Sequence, residues 1–159
     1  MISLRNIGPN EWETWKHQRL AALANAPHAF SSKFEDWENA PEQRWRDRLS
    51  ICGGYQVVAS LQDMIVGMAA GVLLDEPETV ELVSMWVSPA SRGRGVGDAL
   101  VAAVEKWAYG SGATTLKLSV VKDNHSARKL YIRNGFVDVE LKSGDMEING
   151  ERVMLKKKQ

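Results

Sequence analysis

The strongest chemical signal in the chain lies in one short run, Arg92-Gly93-Arg94-Gly95-Val96-Gly97. Glycine at every second position removes the β-carbons that would hold a large ligand away from the backbone N–H groups. A periodic apolar stretch follows, with Leu100/Val101, Val104 and Trp107/Ala108 at helical spacing. The helix it predicts points its positive end at the same spot. Backbone donors, a helix N-terminus, Arg92 and Arg94 together could cradle a pyrophosphate. On the residues alone, a solvated glycine turn fits as well. Two other phosphate loops fit worse. The run lacks Gly-x-x-x-x-Gly-Lys-Ser/Thr, and Asp98 stands where the dinucleotide spacing Gly-x-Gly-x-x-Gly needs its third glycine. Asp98 suits the helix dipole and is expected to face outward, away from an anion.

Glu81 is the second candidate. It sits on the predicted strand before the glycine run, and strict alternation puts it on one face with Val83, Met85 and Val87. A carboxylate among apolar side chains has a raised pKa, which helps it accept a proton. The alternatives are an edge glutamate in solvent, or one that only binds a substrate's ammonium.

The elements that must position these groups follow from periodicity. Residues 2–7 alternate as a short strand, and Gly8-Pro9 ends it and opens a helix. Trp12, Trp15, Arg19/Leu20 and Leu23 then recur at helical spacing. Residues 25–40 carry weak patterning, which suggests loops and a short helix. Pro41 starts another helix through Trp45 to Leu49. Residues 55–61, 64–74 and 79–87 read as strands joined by short turns, an antiparallel meander. Beyond the glycine run, its helix and Gly110/Gly112, residues 114–121 form a strand. That strand–helix–strand unit requires parallel strands and a right-handed crossover. A helix follows over residues 124–133, with Ala127, Leu130 and Tyr131 on one face and Gly135 as its cap. Residues 136–141 and 151–156 close the chain as antiparallel strands, with Asn149-Gly150 as a turn before the last. The fold class is mixed α/β, a largely antiparallel sheet with one parallel crossover.

Composition narrows the function. The 159 residues suit a single domain, 1–159, with 44% hydrophobic and 25% charged side chains. Twenty basic and twenty acidic residues balance, which counts against a partner bound through phosphate contacts, so no nucleic acid is expected. A lone Cys52 excludes an intrachain disulfide framework, argues against structural zinc and suits a reducing compartment. His17, His28 and His125 have no ligand spacing, and no metal is expected. With no signal peptide or membrane span in the sequence, the expected location is cytoplasmic, without membrane partners.

The glycine run resembles the acyl-coenzyme A signature of the GNAT N-acetyltransferase family, Gln/Arg-x-x-Gly-x-Gly/Ala, supplied here by Arg92, Gly95 and Gly97. Met85-Trp86-Val87-Ser88-Pro89 precedes it as the family's fourth strand and turn would. The stretch from Asn124 to Phe136 is similar to a second signature, Asn-x-x-Ala-x-x-Leu-Tyr-x-x-x-Gly-Phe. The resemblance is close over residues 80–136 and looser toward both ends. It implies acetyl-coenzyme A as co-substrate and a sheet whose fourth and fifth strands splay apart. The pantetheine arm would pair there with Met85, Trp86 and Val87 like an added strand. A backbone N–H in that stretch could also stabilise the oxyanion formed from the thioester carbonyl.

It also implies roles for single residues. Tyr131 becomes the general acid toward the thiolate, its reference pKa of about 10 against about 8.5 for a thiol. Apart from the resemblance, Tyr131 reads as a core tyrosine. Glu81 matches the register of the base in the histone-acetylating branch, although many members abstract the proton through water. Asn124 would contact pantetheine or order water near it, besides capping its helix. Arg128 would reach a phosphate or remain a solvated helix residue. Phe30 and Trp37 fall in the segment that lines the family's acceptor pocket.

The expected reaction is direct transfer of an acetyl group to a primary amine in a ternary complex. A small-molecule amine is the first expectation. A peptide N-terminus or lysine is the alternative, favoured by an open groove. A non-catalytic acyl-coenzyme A sensor is the third, disfavoured by the presence of both Tyr131 and Glu81. The acidic runs Glu35-Asp36-Glu38 and Asp75-Glu76-Glu78 could attract a cationic amine or simply face solvent. The resemblance leaves a homodimer open. Residues 25–50 should determine the acceptor, and they carry no motif.

Overall fold

In a computed structural model of the chain, residues 1–27, 30, 33–51, 54–139 and 150–159 are described. Cys52, His28, Asn149 and residues 140–141 of the predicted strand lie outside them. The strands are β1 (Ile2–Asn6), β2 (Gly54–Leu61), β3 (Met64–Leu73), β4 (Thr79–Val87), β5 (Thr115–Val121), β6 (Val137–Asp138) and β7 (Glu151–Lys157). The helices are α1 (Trp12–Asn25), α2 (Phe34–Trp37), α3 (Glu42–Leu49), α4 (Val96–Gly110) and α5 (His125–Arg133). The described strands form one sheet in the order β1-β2-β3-β4-β5-β7-β6. Every pairing is antiparallel except β4 with β5. The fold is the expected mixed α/β class, with β7 inserted between β5 and β6. Among the described residues no helix is long and apolar enough to cross a membrane.

Side-chain alternation gives the sheet two apolar faces. Val57, Ala59 and Ala69 turn toward α4 and α5, where they join Leu100, Val104 and Tyr131. Val58, Met68 and Ala70 turn the other way, onto Trp15 and Ala22 of α1 and Trp45 and Leu49 of α3. Both Trp15 and Trp45 are fully buried. Helices on opposite faces therefore both reach the middle of the sheet.

Two irregularities in β4 shape what lies there. Ala70 and Met68, two apart on β3, face Val83 and Trp86, three apart on β4. The extra residue is a bulge at Ser84–Met85, and Ser84 takes the left-handed conformation, φ 57°. A bulge reverses the alternation. Val80 and Leu82 face α4, whereas Val83 faces α1 and α3; beyond the bulge, Met85 and Val87 face α4 and Trp86 faces α1. The expectation that Glu81, Val83, Met85 and Val87 share one face is thus corrected. Glu81 keeps company with Val83, and Met85 and Val87 lie on the opposite face. The second irregularity is a separation. Strand β4 pairs with β5 only through Thr79, Val80 and Glu81, opposite Thr115, Leu116 and Lys117. Beyond that point the strands diverge, leaving residues 82–87 without a neighbour on the β5 side.

Candidate active site

The divergence opens a cleft of about 310 Å³ through the sheet. Leu82, Val83, Ser84 and Met85 form one strand wall, and Ser119, Val120 and Val121 the other. From the α5 side Asn124, Ala127 and Tyr131 enter; from the α1 and α3 side come Arg19, Phe30 and Arg48. Glu81 and Glu151 complete the lining. Candidates from distant parts of the sequence, Glu81, Met85, Asn124, Tyr131 and Phe30, thus meet at one opening.

Glu81 is half-buried where the last β4–β5 pair ends, beside Lys117. Burial raises its pKa above the usual carboxylate range. Lys117 works against that rise, and Glu151 and Glu76 add to it. Lys117 is itself engaged by Glu76 at 2.8 Å. Tyr131 is 7% exposed and packs edge-on against Phe136, ring centroids 5.9 Å apart. Burial pushes its phenol well above the ordinary value, so the hydroxyl is a donor at any working pH. The same shift widens the gap to a thiol beyond that of the reference values. Tyr131 is therefore better suited to hydrogen-bond a developing thiolate than to release its proton in advance.

The glycine run wraps the start of α4. Gly93 and Gly95 both have positive φ, 80° and 84°, a backbone that glycine adopts without strain. No described group bonds the N–H groups of residues 93–97, and Gly95 caps α4 without a side-chain hydrogen bond. A β-carbon at Gly93 would meet nothing within 4 Å, so the backbone there is open. Gly97 differs: a β-carbon there would lie 3.1 Å from Leu130 and 3.5 Å from Met85. Its role is close packing of α4 on α5. Asp98 turns away from the loop as expected, bound by Arg133 at 3.0 Å and 3.1 Å and by Asn134 at 2.9 Å. Open donors, positive-φ glycines and a helix N-terminus fit the diphosphate of a nucleotide cofactor.

The remaining candidates divide. Arg92 donates to the Val87 carbonyl at 3.0 Å and to Asn25 Oδ1 at 3.4 Å, so it secures the loop; Arg94 is exposed. Asn124 accepts the Ala127 N–H at 3.2 Å and caps α5. Arg128 pairs with Asp138 at 2.7 Å. Trp86 donates to Asn25 Oδ1 at 3.1 Å. Trp37 does not line the cleft. Its ring lies 4.7 Å from Trp45, under the Arg44 guanidinium at 4.0 Å, because α2 packs on α1 and turns this side chain onto α3.

Arg19 and Arg48 were not singled out from the sequence as site residues, nor were Ser119 and Glu151. The two arginines stand 29 positions apart on helices where arginine usually faces solvent. One signal was present: Arg19 falls on the buried period of its helix, with Trp15 and Leu23. Burial, aided by Arg48, lowers the Arg19 pKa to about 10. The Arg48 pKa is lowered by burial too.

The model of the Acetyltransferase (GNAT) family matches residues 18–136. The chain belongs to that family. It is similar to L-2,4-diaminobutyric acid acetyltransferase of Nocardia farcinica, 34% identical over 120 residues, 69% of this chain and 62% of that protein. It is also similar to mycothiol acetyltransferase of Renibacterium salmoninarum, 27% identical over 140 residues, 85% of this chain and 40% of that protein. The chain therefore spans less than two thirds of each relative. Among solved GNAT structures, the PaiA N-acetyltransferase of Thermoplasma acidophilum in complex with coenzyme A shares the fold, with TM-score 0.76, 18% identity and 99% of both chains covered. A GNAT acetyltransferase from Staphylococcus aureus matches with TM-score 0.77 and 18% identity over the whole of both chains.

Proposed function

We propose that this GNAT chain transfers an acetyl group from acetyl-coenzyme A to the primary amine of a small molecule, with both substrates bound at once. The observation that carries it is the opening of β4 from β5, which brings Glu81, Tyr131 and an unpaired strand edge to one cleft beside a loop of free N–H groups. Relatives named for mycothiol and L-2,4-diaminobutyric acid support a small acceptor.

The backbone of Met85, Trp86 and Val87 on the side that has no β5 neighbour would hold the pantetheine arm. Residues 93–97 and Arg94 would hold the diphosphate, and Arg92 keeps the loop closed on Val87. Asn124 serves the same wall by fixing the first turn of α5. Bound there, acetyl-coenzyme A supplies the activated thioester carbonyl. An amine with a pKa of about 10 must lose a proton before it attacks. Glu81, half-buried and raised in pKa, takes that proton from the acceptor's ammonium. As the nitrogen–carbon bond forms and the carbon–sulfur bond breaks, Tyr131 donates a hydrogen bond from the opposite wall to the departing sulfur, and the thiolate takes up the second proton that the amine nitrogen releases.

Calorimetric titration with acetyl-coenzyme A tests the proposal. Wild type should bind in the micromolar range, and Arg94→Glu should weaken binding about tenfold by reversing one charge at the loop. A folded wild type that does not bind acetyl-coenzyme A would overturn it.

A further inference from the structure

The acceptor side of the cleft holds two positive charges that nothing in the described protein neutralises. Arg19 on α1 and Arg48 on α3 both line it. The Nη1 atom of each is buried and has no hydrogen-bond partner. No carboxylate among the described residues pairs with either guanidinium. Aromatic rings hold them instead: Arg19 lies over Phe30 at 4.7 Å, and Arg48 over Trp15 at 5.8 Å. Two like charges so placed repel each other and forgo hydration, and a protein optimised only for its own stability would not bury them together. The cleft also has an acidic end, formed by Glu81 and Glu151, whose charges are close enough to affect each other.

We propose that Arg19 and Arg48 are the receptor for a carboxylate on the acceptor, so that the substrate is a small, free amino acid-like zwitterion. This rests on the acetyl-transfer function proposed above. The ammonium of such a molecule complements the Glu81–Glu151 end, and its carboxylate supplies acceptors for the two planar guanidinium forks. A polyamine would bring a second cation to the arginines. An internal peptide amide would leave both charges uncompensated. The phosphates of the nucleotide have their own loop at the start of α4, whereas the arginines come from the helices on the other face of the sheet. The small cleft, shared with the acetyl end, further limits the acceptor to a compact molecule.

The test pairs free L-amino acids, ornithine and 4-aminobutyrate with their carboxamides, and follows coenzyme A release. At least one free acid should exceed its carboxamide in kcat/KM by about 100-fold or more, because the amide leaves buried donors unmatched. Arg19→Gln and Arg48→Gln should erase that ratio mainly through KM, with acetyl-coenzyme A affinity unchanged, and Arg48→Lys should restore part of it. A second readout needs no catalysis: the preferred amino acid alone should raise the Tm of wild type and not of Arg19→Gln. If carboxamides or polyamines equal the free acids, and no amino acid raises the wild-type Tm, the proposal is overturned. Failure to bind acetyl-coenzyme A would sink the transfer function separately, and the Tm series would still decide the carboxylate receptor.

Discussion

The helices on the two faces of the sheet treat their charges differently. On the α4–α5 side, Asp98 is gripped by Arg133 and Asn134, Arg128 holds Asp138, and Glu105 holds Lys156 at 2.8 Å. On the α1–α3 side, Arg19 and Arg48 are more deeply buried and have no carboxylate among the described residues. A wall whose ions satisfy one another is finished when the chain folds. A wall with unmatched buried ions is open to a ligand that supplies the missing charge. On the proposed function, the contrast would separate the side that presents fixed groups to a constant co-substrate from the side that distinguishes acceptors.

The largest effect that would sharpen this division is on Tyr131. Tyr131→Phe should lower kcat by about 10²–10³-fold while acetyl-coenzyme A affinity holds, measured by steady-state kinetics beside calorimetry. Equal loss in affinity would blur the walls' separate roles. Glu81→Gln comes next, with kcat/KM reduced about 10–100-fold near neutral pH. Its pH profile carries a sign. As the proposed base, Glu81 would work when ionised, and its pKa is raised, so wild-type activity should climb as pH rises through that raised value. The variant should lose this limb. The same shift means that stability falls as pH rises from the unfolded-state value of Glu81, about 4.3, through its raised folded-state value, and the loss is complete above it. Glu81→Gln should therefore raise Tm slightly at neutral pH and give no gain below about pH 4.

Ser84→Val probes the strand between the walls. A β-branched residue at φ 57° should cost about 1–3 kcal/mol in denaturant unfolding, whereas Ser84→Gly should be neutral or better. The smallest effects bear on the contrast most directly. Without ligand, Arg48→Met should raise Tm by about 2–4 °C, by removing a buried, repelled charge. Asp98→Asn should lower it by less than about 2 °C, since that pair is largely exposed. The same sign for both in differential scanning calorimetry would break the comparison.

Much of this was legible in the sequence. Strand-like runs broken by short turns placed the meander, Pro41 marked the start of α3, the glycine run preceded α4, and Asn124 and Gly135 marked the ends of α5. The observed φ of 84° at Gly95 and 94° at Gly135 is what glycine supplies at such ends. The bulge was not legible. No residue type in Val83-Ser84-Met85 marks an extra position, and only pairing with β3 shows that one residue is extra. The arginine pair was hidden for a different reason. A lone arginine in a helix reads as surface, and its burial beside another depends on how α1 and α3 dock, which local spacing does not encode. Trp37 shows the reverse: an aromatic in the expected acceptor segment packs on a neighbouring tryptophan rather than lining the cleft.

The reversal at Ser84 also sets where selection can act. Positions 81, 83 and 86 face the compartment of α1 and α3, and positions 82, 85 and 87 face that of α4 and α5. On the proposed function, drift or directed evolution toward a new acceptor would have its productive targets in the first set, and the second set would stay constrained by a co-substrate that does not change. A mutant library drawn on strict alternation across β4 would mix the two sets, and would lose co-substrate binding in half of its attempts to alter specificity.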